Sequence, residues 1–293
     1  MRKKTLSEET KKLLIDNGYD VDQLQITLQE KGLTLAQIQQ FAEEFQKINM
    51  KPVVIVVIGA AGVGKTSTIN AVFGVDWKVG DGERGTEFMQ ENVFDIDEIH
   101  KLKIIDLPGI GDSIERDKEI AELYKTILPT ADVVLYIVQA DDRAFSEVEH
   151  AIKEYVLPNI STASKLVIGI NKVDLLGLGT DDDIFWDEDF NLPSPVQKGY
   201  IEKKSYQTAK YIARATGIKI LWFTKKKINK KRIVAYSASK RFNLGELIRV
   251  ICDAAGENSY KIPIRPASHV ELMSEKAKQL LEDAKKKAQN AQK

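Results

Sequence analysis

The stretch Lys51–Asn70, KPVVIVVIGAAGVGKTSTIN, decides the fold class of this chain. An aliphatic run ends abruptly in small residues with three glycines, and a lysine and three hydroxyl residues follow. Gly59–Thr66 matches the pattern G-x-x-x-x-G-K-[ST] between a strand-like run and a helix-like run. Glycines let the backbone wrap closely around phosphate groups with its N–H groups pointing inward. A plain glycine-rich turn with a surface lysine is the alternative, and the pattern favours a phosphate site.

Each polar residue of this loop has an expected role. Lys65 would reach the β- and γ-phosphates of a nucleotide, Thr66 would ligate Mg²⁺ through its hydroxyl, and Ser67 would contact the α-phosphate. The helix that follows offers its positive N-terminus to the anion. The predicted nucleotide-binding residues of the loop are Ala61, Gly62, Val63, Gly64, Lys65, Thr66 and Ser67.

The composition of the 293 residues is ordinary for a globular protein, with 43% hydrophobic and 29% charged residues. Lys+Arg and Asp+Glu are both 43, so the bulk charge does not argue for nucleic acid or an anionic membrane as partner. The single cysteine excludes an intrachain disulfide. We see neither a secretory signal nor an apolar run long enough to span a membrane, and we expect a cytoplasmic protein.

Short β-branched runs alternate with helix-like stretches after residue 51. Most of the runs are continuously apolar, which is typical of strands buried on both faces of a parallel sheet. The pattern predicts an α/β fold, a doubly wound, mostly parallel sheet of about six strands with helices on both faces. The predicted strands are Val53–Ile58, Lys103–Ile105, Val133–Val138, Leu166–Ile170, Ile220–Phe223 and Ile233–Tyr236. The predicted helices include Ser67–Phe73, Arg116–Leu128, Phe145–Tyr155 and Lys198–Ala215.

We predict three regions: a helical extension over residues 1–50, a nucleotide-binding domain over 51–256, and a linker with a C-terminal helix over 257–293. Thr34 is expected to cap a helix of the first region. An apolar stripe, which we expect to end in a frayed tail, runs through Val270, Met273, Ala277 and Leu280. Because both ends of the chain carry apolar stripes, we expect them to pack together as a small helical subdomain.

Two motifs at the ends of predicted strands specify the triphosphate and the base. In Asp106-Leu-Pro-Gly109 the carboxylate is placed to hold Mg²⁺ through water, and the Gly109 N–H can bond the γ-phosphate. In Asn171-Lys-Val-Asp174 the aspartate can accept both N1–H and N2–H₂ of guanine. Adenine lacks donors at these positions and would leave a buried carboxylate unpaired.

A third motif, Ser237-Ala-Ser-Lys240, follows the run IVAY. Its Ala238 N–H would reach guanine O6, and Lys172 would lie along the base with its aliphatic stem. Each motif is weak alone, but motifs in this order at successive strand ends are typical of nucleotide sites in open α/β sheets. The predicted base-binding residues are Asn171, Lys172, Asp174, Ser237, Ala238 and Ser239.

With these motifs the chain resembles the P-loop GTPases of the translation-factor-related class, and within them the Era-like GTPases. The stretch DLPGIGDSIERDKEIAELYKTILPTADVVLYIVQADDRAF from Asp106 is similar to a bacterial, often prophage-borne family known as 50S ribosome-binding GTPases. The resemblance covers about residues 52–256. It implies that GTP and GDP bind with Mg²⁺, that GTP is hydrolysed to GDP and phosphate, and that the domain acts as a conformational switch for an unidentified partner.

The resemblance also implies a switch I threonine that contacts Mg²⁺ and the γ-phosphate. Thr86 is the only serine or threonine between Asn70 and Lys101, so we assign this role to it. A plain surface loop is the alternative. The predicted catalytic residues are then Lys65, Thr86 and Gly109, and the predicted metal-binding residues are Thr66, Thr86 and Asp106.

Two positions depart from the patterns of related GTPases. Ile110 stands where many small GTPases have a glutamine that orients water, so slow intrinsic turnover is expected, with help from a partner or from a homodimer through the GTPase domain. Gly62 stands where some Era-like relatives carry an asparagine that recruits K⁺, which puts K⁺ activation in doubt. Ile110 and Ala61 allow an alternative function, a guanine-nucleotide-binding interaction module with little hydrolysis.

Two charged segments support weaker alternatives. The basic turn Lys225–Arg232 fits an RNA- or ribosome-associated factor. The alternative is that the lysines belong to a soluble hairpin that protects a sheet edge. The acidic run Asp181–Asp183 could recruit a cation or a basic partner, but a solvated loop is the better explanation. A dynamin-like membrane GTPase is a further alternative, but the helical ends look too short for a stalk.

Overall fold

The computed structural model describes residues 11, 20, 21, 23, 26, 30–32, 34, 36, 37, 40, 51–77, 89–95, 101–110, 114–141, 145–177, 186–215, 232–262 and 268–291. The chain divides into two units, one of Met1–Pro52 with Phe94–Leu102 and one of Val53–Val93 with Lys103–Lys293. In the first unit the described residues Lys11, Val21, Gln23, Ile26, Glu30, Ala36, Gln37 and Gln40 are helical. The Thr34 hydroxyl accepts from the Gln37 N–H and the Gln37 side chain accepts from the Thr34 N–H, a reciprocal helix cap as predicted.

A six-stranded sheet forms the centre of the fold, in the order β2-β3-β1-β4-β5-β8. Its strands are β1 (Val53–Gly59), β2 (Gln90–Asp95), β3 (Lys101–Asp106), β4 (Val133–Gln139), β5 (Leu166–Asn171) and β8 (Ile233–Ala235). A separate antiparallel pair consists of β6 (Trp186–Asp187) and β7 (Leu192–Pro193). The predicted α/β fold with a mostly parallel sheet is confirmed.

The central strands are buried on both faces, as their continuous apolar runs predict. β1 pairs in parallel with β4, with Ile55 opposite Val133, and β4 pairs in parallel with β5, with Val134 opposite Leu166. Every residue of β5 is buried. Parallel neighbours end at the same edge of the sheet, so the loops that follow β1, β4 and β5 emerge side by side.

The described helices connect these strands and flank the sheet. They are α1 (Lys65–Phe73), α2 (Ile114–Ile127), α3 (Phe145–Ala151), α4 (Pro195–Ala215), α5 (Leu244–Ala255) and α6 (Glu275–Ala291). A π-helical turn over Ile152–Val156 continues α3, so its combined length matches the predicted helix. α4 begins three residues before the predicted start, because Ser194 caps it: the Gln197 N–H donates to Ser194 Oγ, and Pro195 occupies the first helical position.

Three predictions need correction or lie outside the described residues. β2 was missed because its residues, QENVFD, are mostly exposed at the sheet edge and form no apolar run. The expected frayed tail is wrong as far as Ala291, since α6 is helical to that residue and carries the ion pairs Lys278–Glu275 and Lys285–Glu282. The predicted strand Ile220–Phe223 lies outside the described residues.

The C-terminal apolar stripe is shorter than predicted. Met273 and Ala277 are buried, whereas Leu280 is 52% exposed. The stripe ends there because the side chains described from 282 to 287 are all exposed. Packing of this segment against residues 1–50 stays a prediction.

Two glycine substitutions test how tightly β5 and β8 are packed. A Cβ on Gly169 of β5 would lie 2.9 Å from Cε1 of the buried Tyr236, whereas a Cβ on Gly199 of α4 meets nothing within 4 Å. We expect Gly169→Ala to lower the free energy of unfolding by about 1–3 kcal/mol. Gly199→Ala, the matched control in a helix, should raise it by up to about 1 kcal/mol. Urea denaturation measures both, and equal effects would contradict this packing.

Candidate nucleotide-binding site

The predicted site residues that the structure describes come together at one edge of the sheet. The phosphate loop follows β1, the Asp106–Gly109 motif ends β3, the Asn171–Asp174 motif ends β5, and the Ser237–Lys240 motif follows β8. These are the carboxyl ends of the strands, where open α/β sheets bind their ligands. Thr86 lies outside the described residues, as do Asp181–Asp183 and all of the basic turn except Arg232.

The phosphate loop has little space for side chains at two of its glycines. A Cβ on Gly59 would lie 2.3 Å from the Ile137 carbonyl oxygen of β4. Gly64 has φ 89°, a left-handed conformation, and a Cβ there would lie 2.5 Å from Asn171 Nδ2. Both positions therefore require glycine, the first by close approach of backbone and the second by conformation and contact. Val63 between them is buried, and Ala61 and Gly62 are exposed.

Lys65 folds back over the loop that precedes it. Its Nζ donates to the carbonyl oxygens of Gly59 and Ala60, each at 3.1 Å, and the side chain is buried. Burial lowers the pKa of the Lys65 amine, and the negative charge of Asp106 opposes that shift. The ammonium is thus held at the centre of the loop, where a bound phosphate would meet it.

Thr66 and Asp106 form a pair of oxygen ligands beside this lysine. Thr66 Oγ1 donates to Asp106 Oδ2 at 2.9 Å, and both residues are buried. A hydroxyl and a carboxylate are the hard oxygen donors that Mg²⁺ prefers, so the donor set fits the predicted metal. Ser67 is half-buried in the first turn of α1.

The Asp106–Gly109 motif contacts the phosphate loop through backbone. A Cβ on Gly109 would lie 2.3 Å from the Gly59 carbonyl oxygen, so only glycine fits this approach. Tyr124 of α2 donates its hydroxyl to the Pro108 carbonyl at 3.1 Å, and burial raises the pKa of that phenol, which keeps it a donor at neutral pH. Ile110 packs against the hydrophobic core. Its side chain therefore cannot orient water, as the sequence predicts.

Asn171 joins three of the four motifs. Its Nδ2 donates to the Val63 carbonyl at 2.9 Å, and its Oδ1 accepts from the Ala238 N–H at 3.0 Å. Its own carbonyl accepts from the Ala140 N–H at 2.8 Å. The amide is buried, so each of these bonds forms in a low-dielectric environment. Asn171 thereby holds the phosphate loop and the two base-recognition motifs at fixed separations.

Asp174 presents a carboxylate oxygen with no hydrogen-bond partner in the described part of the chain. Its Oδ1 is buried, while Oδ2 accepts from Ser239 Oγ at 3.4 Å. An orphaned buried acceptor costs free energy unless a ligand satisfies it. Lys172, at φ 61°, extends its Nζ to Gln139 Oε1 at 2.9 Å.

The Ser237–Lys240 motif forms a tight turn that differs from the prediction in one contact. Ser237 Oγ lies 3.1 Å from Ser239 Oγ and accepts from the Lys240 N–H at 3.1 Å. The Ala238 N–H, predicted to reach guanine O6, donates here to Asn171 Oδ1. The Ala238 N–H already donates to the Asn171 carboxamide oxygen. It could reach guanine O6 only as a bifurcated donor that is shared between the two oxygens.

Several residues that support the site carry no signal in the sequence. Gln197 of α4 donates to three carbonyls around Asp174, and Asn191 donates to the Lys240 carbonyl. The buried Tyr236 hydroxyl lies 2.8 Å from Thr68 Oγ1, and the Thr68 hydroxyl donates to the Gly64 carbonyl at 2.7 Å. These contacts join segments far apart in sequence, and no local pattern marks them.

In the part of the chain that the structure describes, no helix combines the length and the apolar character needed to cross a membrane.

Alanine substitutions at Gly64 and Gly62 distinguish the effect of backbone strain on nucleotide binding from the effect of a clash with Asn171. Both have positive φ, 89° and 73°, but only a Cβ on Gly64 meets Asn171, and a Cβ on Gly62 meets nothing within 4 Å. Each alanine substitution strains the backbone by about 1–2 kcal/mol. We expect Gly64→Ala to bind GDP at least about tenfold more weakly than Gly62→Ala, a difference of about 1.4 kcal/mol. Titration with a fluorescent GDP analogue measures both, and equal affinities would show that the Asn171 contact is unimportant.

Residues 54–172 match the family model for the 50S ribosome-binding GTPases. YfjP of Escherichia coli K12 is 35% identical over 126 residues, which are 43% of this chain and 44% of YfjP. YkfA of the same strain is 38% identical over 124 residues, which are 40% of this chain and 42% of YkfA. The chain thus aligns with less than half the length of each of these relatives.

Solved structures share the fold at low identity. A dimerization-deficient mutant of Toc33 from Arabidopsis thaliana is 19% identical, with a TM-score of 0.54, and the match covers 74% of this chain and 89% of Toc33. The sheet topology, the phosphate loop and the two base-recognition motifs agree with the family match. Residues 54–172 are therefore similar to the 50S ribosome-binding GTPase family, and the fold is that of a P-loop GTPase domain.

Proposed function

We propose that this protein binds guanine nucleotide with Mg²⁺, hydrolyses GTP to GDP and phosphate, and switches conformation with the nucleotide for an unidentified partner. The observation that carries the proposal is the buried junction at Asn171. It holds the phosphate loop and both base-recognition motifs around one sheet edge. A site that binds both ends of one nucleotide needs this fixed separation.

Guanine recognition rests on Asp174. Its buried Oδ1 lacks a partner in the described residues, and Oδ2 has only a long contact to Ser239. The carboxylate can accept N1–H and N2–H₂ of guanine together. Adenine presents no donors there and would leave the carboxylate desolvated, so the site discriminates by the cost of an unsatisfied charge.

Phosphate binding rests on the loop and Lys65. The ammonium that now donates to the Gly59 and Ala60 carbonyls lies where it can reach the β- and γ-phosphates. Thr66 and Asp106 would hold Mg²⁺, with Thr86 joining them when switch I orders. The metal, when bound, supplies positive charge to the phosphate oxygens. Fixed charges of this kind stabilise the transition state of phosphoryl transfer.

The switch would act through the segment after β3. The Gly109 backbone lies against the phosphate loop, so a γ-phosphate bound there would contact its N–H. The Tyr124 hydroxyl on the Pro108 carbonyl ties the same segment to α2. Loss of the γ-phosphate would remove the contact of the Gly109 N–H and leave the hydrogen bond from Tyr124 to Pro108. This change fits release of a switch on hydrolysis.

A binding module with little hydrolysis is the second candidate, and the packing of Ile110 favours it. The apolar side chain packs on the core and supplies no group that could orient the attacking water. A second copy of the chain could supply that group. Dimerization is important for the GTPase activity of the chloroplast translocon components atToc33 and psToc159. RNA or ribosome association through the Lys225–Arg232 turn and a cytoplasmic location remain proposals.

Single-turnover GTP hydrolysis separates the two candidates. We expect slow turnover that requires Mg²⁺, stops with a chelator, and falls at least about 100-fold in Lys65→Ala, because fixed charge on the phosphates is lost. Lys210→Ala, which removes an exposed lysine of α4, should leave the rate unchanged. A rate per molecule that rises with protein concentration would indicate a dimer. Tight GDP binding with no hydrolysis at any concentration would support the binding module instead.

Asp174→Asn tests the base assignment. The amide can accept one donor of guanine but places its NH₂ against the other, so GDP affinity should fall about 100-fold, or about 2.7 kcal/mol. Xanthosine diphosphate, which has a carbonyl at position 2, should gain affinity because the amide can donate to it. ADP affinity should not change. Competition against a fluorescent nucleotide measures all three, and an unchanged GDP affinity would place the base elsewhere.

A further inference from the structure

The segment that follows the Asn171–Asp174 motif contacts both turns of the predicted base site. It comprises the β6–β7 hairpin, Trp186–Pro193, and the first turn of α4. Neither part belongs to a nucleotide-binding motif. Two buried amides in it, Asn191 and Gln197, each donate to backbone carbonyls of a different base-recognition turn. We infer that Gln197 and Asn191 are positioning residues that set guanine specificity, an inference that rests on the proposed function.

Gln197 holds the turn that carries Asp174. Val173–Leu175 forms a single 3₁₀ turn in which the Leu176 N–H donates to the Val173 carbonyl, and so short a turn leaves the carbonyls after Val173 without partners inside it. Gln197 Nε2 donates to the carbonyls of Asp174 at 3.0 Å and Leu176 at 3.2 Å, with a longer contact to Val173 at 3.5 Å. The side chain therefore fixes the backbone of the residue whose carboxylate would read N1–H and N2–H₂.

The placement of Gln197 is itself determined by a helix cap. Ser194 accepts from the Gln197 N–H and Pro195 begins the helix, so Gln197 lies in the first turn of α4 with its backbone anchored. The residue is fully buried. Its Oε1 accepts no hydrogen bond from the described residues, so the contacts that place this amide are those of Nε2. A carboxylate in its place would turn an oxygen toward three carbonyl oxygens.

Asn191 holds the second turn. At φ 51° it occupies the left-handed region, which asparagine tolerates better than most residues. Its Nδ2 donates to the Lys240 carbonyl at 2.8 Å and to the His269 carbonyl at 3.0 Å, while Oδ1 accepts from Trp186 Nε1 at 3.0 Å. All the polar atoms of this buried amide are thus used, and one of its bonds holds the turn that contains Ala238.

Further contacts tie the hairpin to the same turn. Lys240 Nζ lies 2.6 Å from a Glu188 carboxylate oxygen, and the Trp186 ring meets the Phe242 ring edge to face at a centroid distance of 5.5 Å. The two turns are therefore held from outside by one continuous segment, in addition to the Asn171 junction inside. Positioning from both sides is what precise recognition of one base requires.

GDP, IDP and ADP distinguish this role from general stabilisation. IDP lacks only the N2 amino group of guanine, and ADP lacks both N1–H and O6. We expect Gln197→Glu and Gln197→Met to weaken GDP binding about tenfold and IDP binding less. GDP donates both N1–H and N2–H₂ to Asp174, whereas IDP donates only N1–H. A displaced Asp174 therefore costs GDP one hydrogen bond that IDP never makes. The ratio of GDP to IDP affinity therefore falls. ADP affinity, which depends on the phosphate loop, should stay within about twofold.

Asn191→Gly should give a different pattern. GDP and IDP both carry O6, so loosening of the Ala238 turn should weaken both by the same factor, about fivefold, and leave their ratio unchanged. Gln207→Glu makes the same chemical change on the exposed face of α4 and serves as the control that changes nothing. Competition titrations against a fluorescent GDP analogue measure all affinities, and urea denaturation verifies that each variant is folded.

The outcomes separate this inference from the proposed function. If the wild-type protein shows no preference for GDP over ADP, the proposed function fails. If the wild-type protein prefers GDP and the folded Gln197 variants keep its GDP to IDP ratio, the positioning role is wrong while the function stands. If Gln197→Glu does not fold, Gln197→Met and Asn191→Gly decide. Equal loss for all three nucleotides in a folded variant would mean that the amides only stabilise the domain.

Discussion

The carboxamide of Asn171 is the constraint on which the site depends. One end donates to Val63 in the phosphate loop, and the other accepts from Ala238 in the turn after β8. A buried amide with both ends bonded tolerates no movement of either partner without leaving a polar group unsatisfied. It also explains why Gly64 has no side chain, since a Cβ there would occupy the space of the amide nitrogen.

A second tie between the phosphate end and the base end runs through the core. The Tyr236 hydroxyl meets Thr68 Oγ1 at 2.8 Å, and Thr68 bonds the Gly64 carbonyl. Tyr236 directly precedes the Ser237 turn, so β8 and α1 are joined below the site as well as within it. The phosphate loop and the turn after β8, where the two ends of the proposed nucleotide would bind, are thus held rigidly together. The Asp106–Gly109 segment is held differently, by the approach of Gly109 and by the hydroxyl of Tyr124, which fits the switch that we propose.

The segment between β5 and α4 contacts the proposed base site although part of it lies outside the nucleotide motifs. The β6–β7 hairpin lies in this segment, and α4 with its Ser194 cap follows the hairpin. The buried amides of Asn191 in the hairpin and Gln197 in α4 donate to the two turns that we propose recognise the base. The C-terminal segment contacts the same hairpin, where the Ser274 N–H donates to the Asp189 carbonyl at 2.9 Å, and Glu271 pairs with Arg241, which directly follows the Ser237–Lys240 motif. Among the described residues, elements outside the nucleotide motifs therefore contact the proposed base-recognition turn directly.

The sequence by itself determined the phosphate loop, the order of the motifs and the parallel sheet, because each follows from local requirements. Glycine where backbone must approach closely, apolar runs where strands are buried on both faces, and a carboxylate at a strand end can all be read from neighbouring residues. The edge strand Gln90–Asp95 escaped prediction because an exposed strand needs no apolar pattern. Only the tertiary structure decided that Gln197, Asn191 and Tyr124 serve the site, because their partners lie 16 to 49 residues away along the chain. A contact across such a separation arises from packing and leaves no periodic signal in the residues around it.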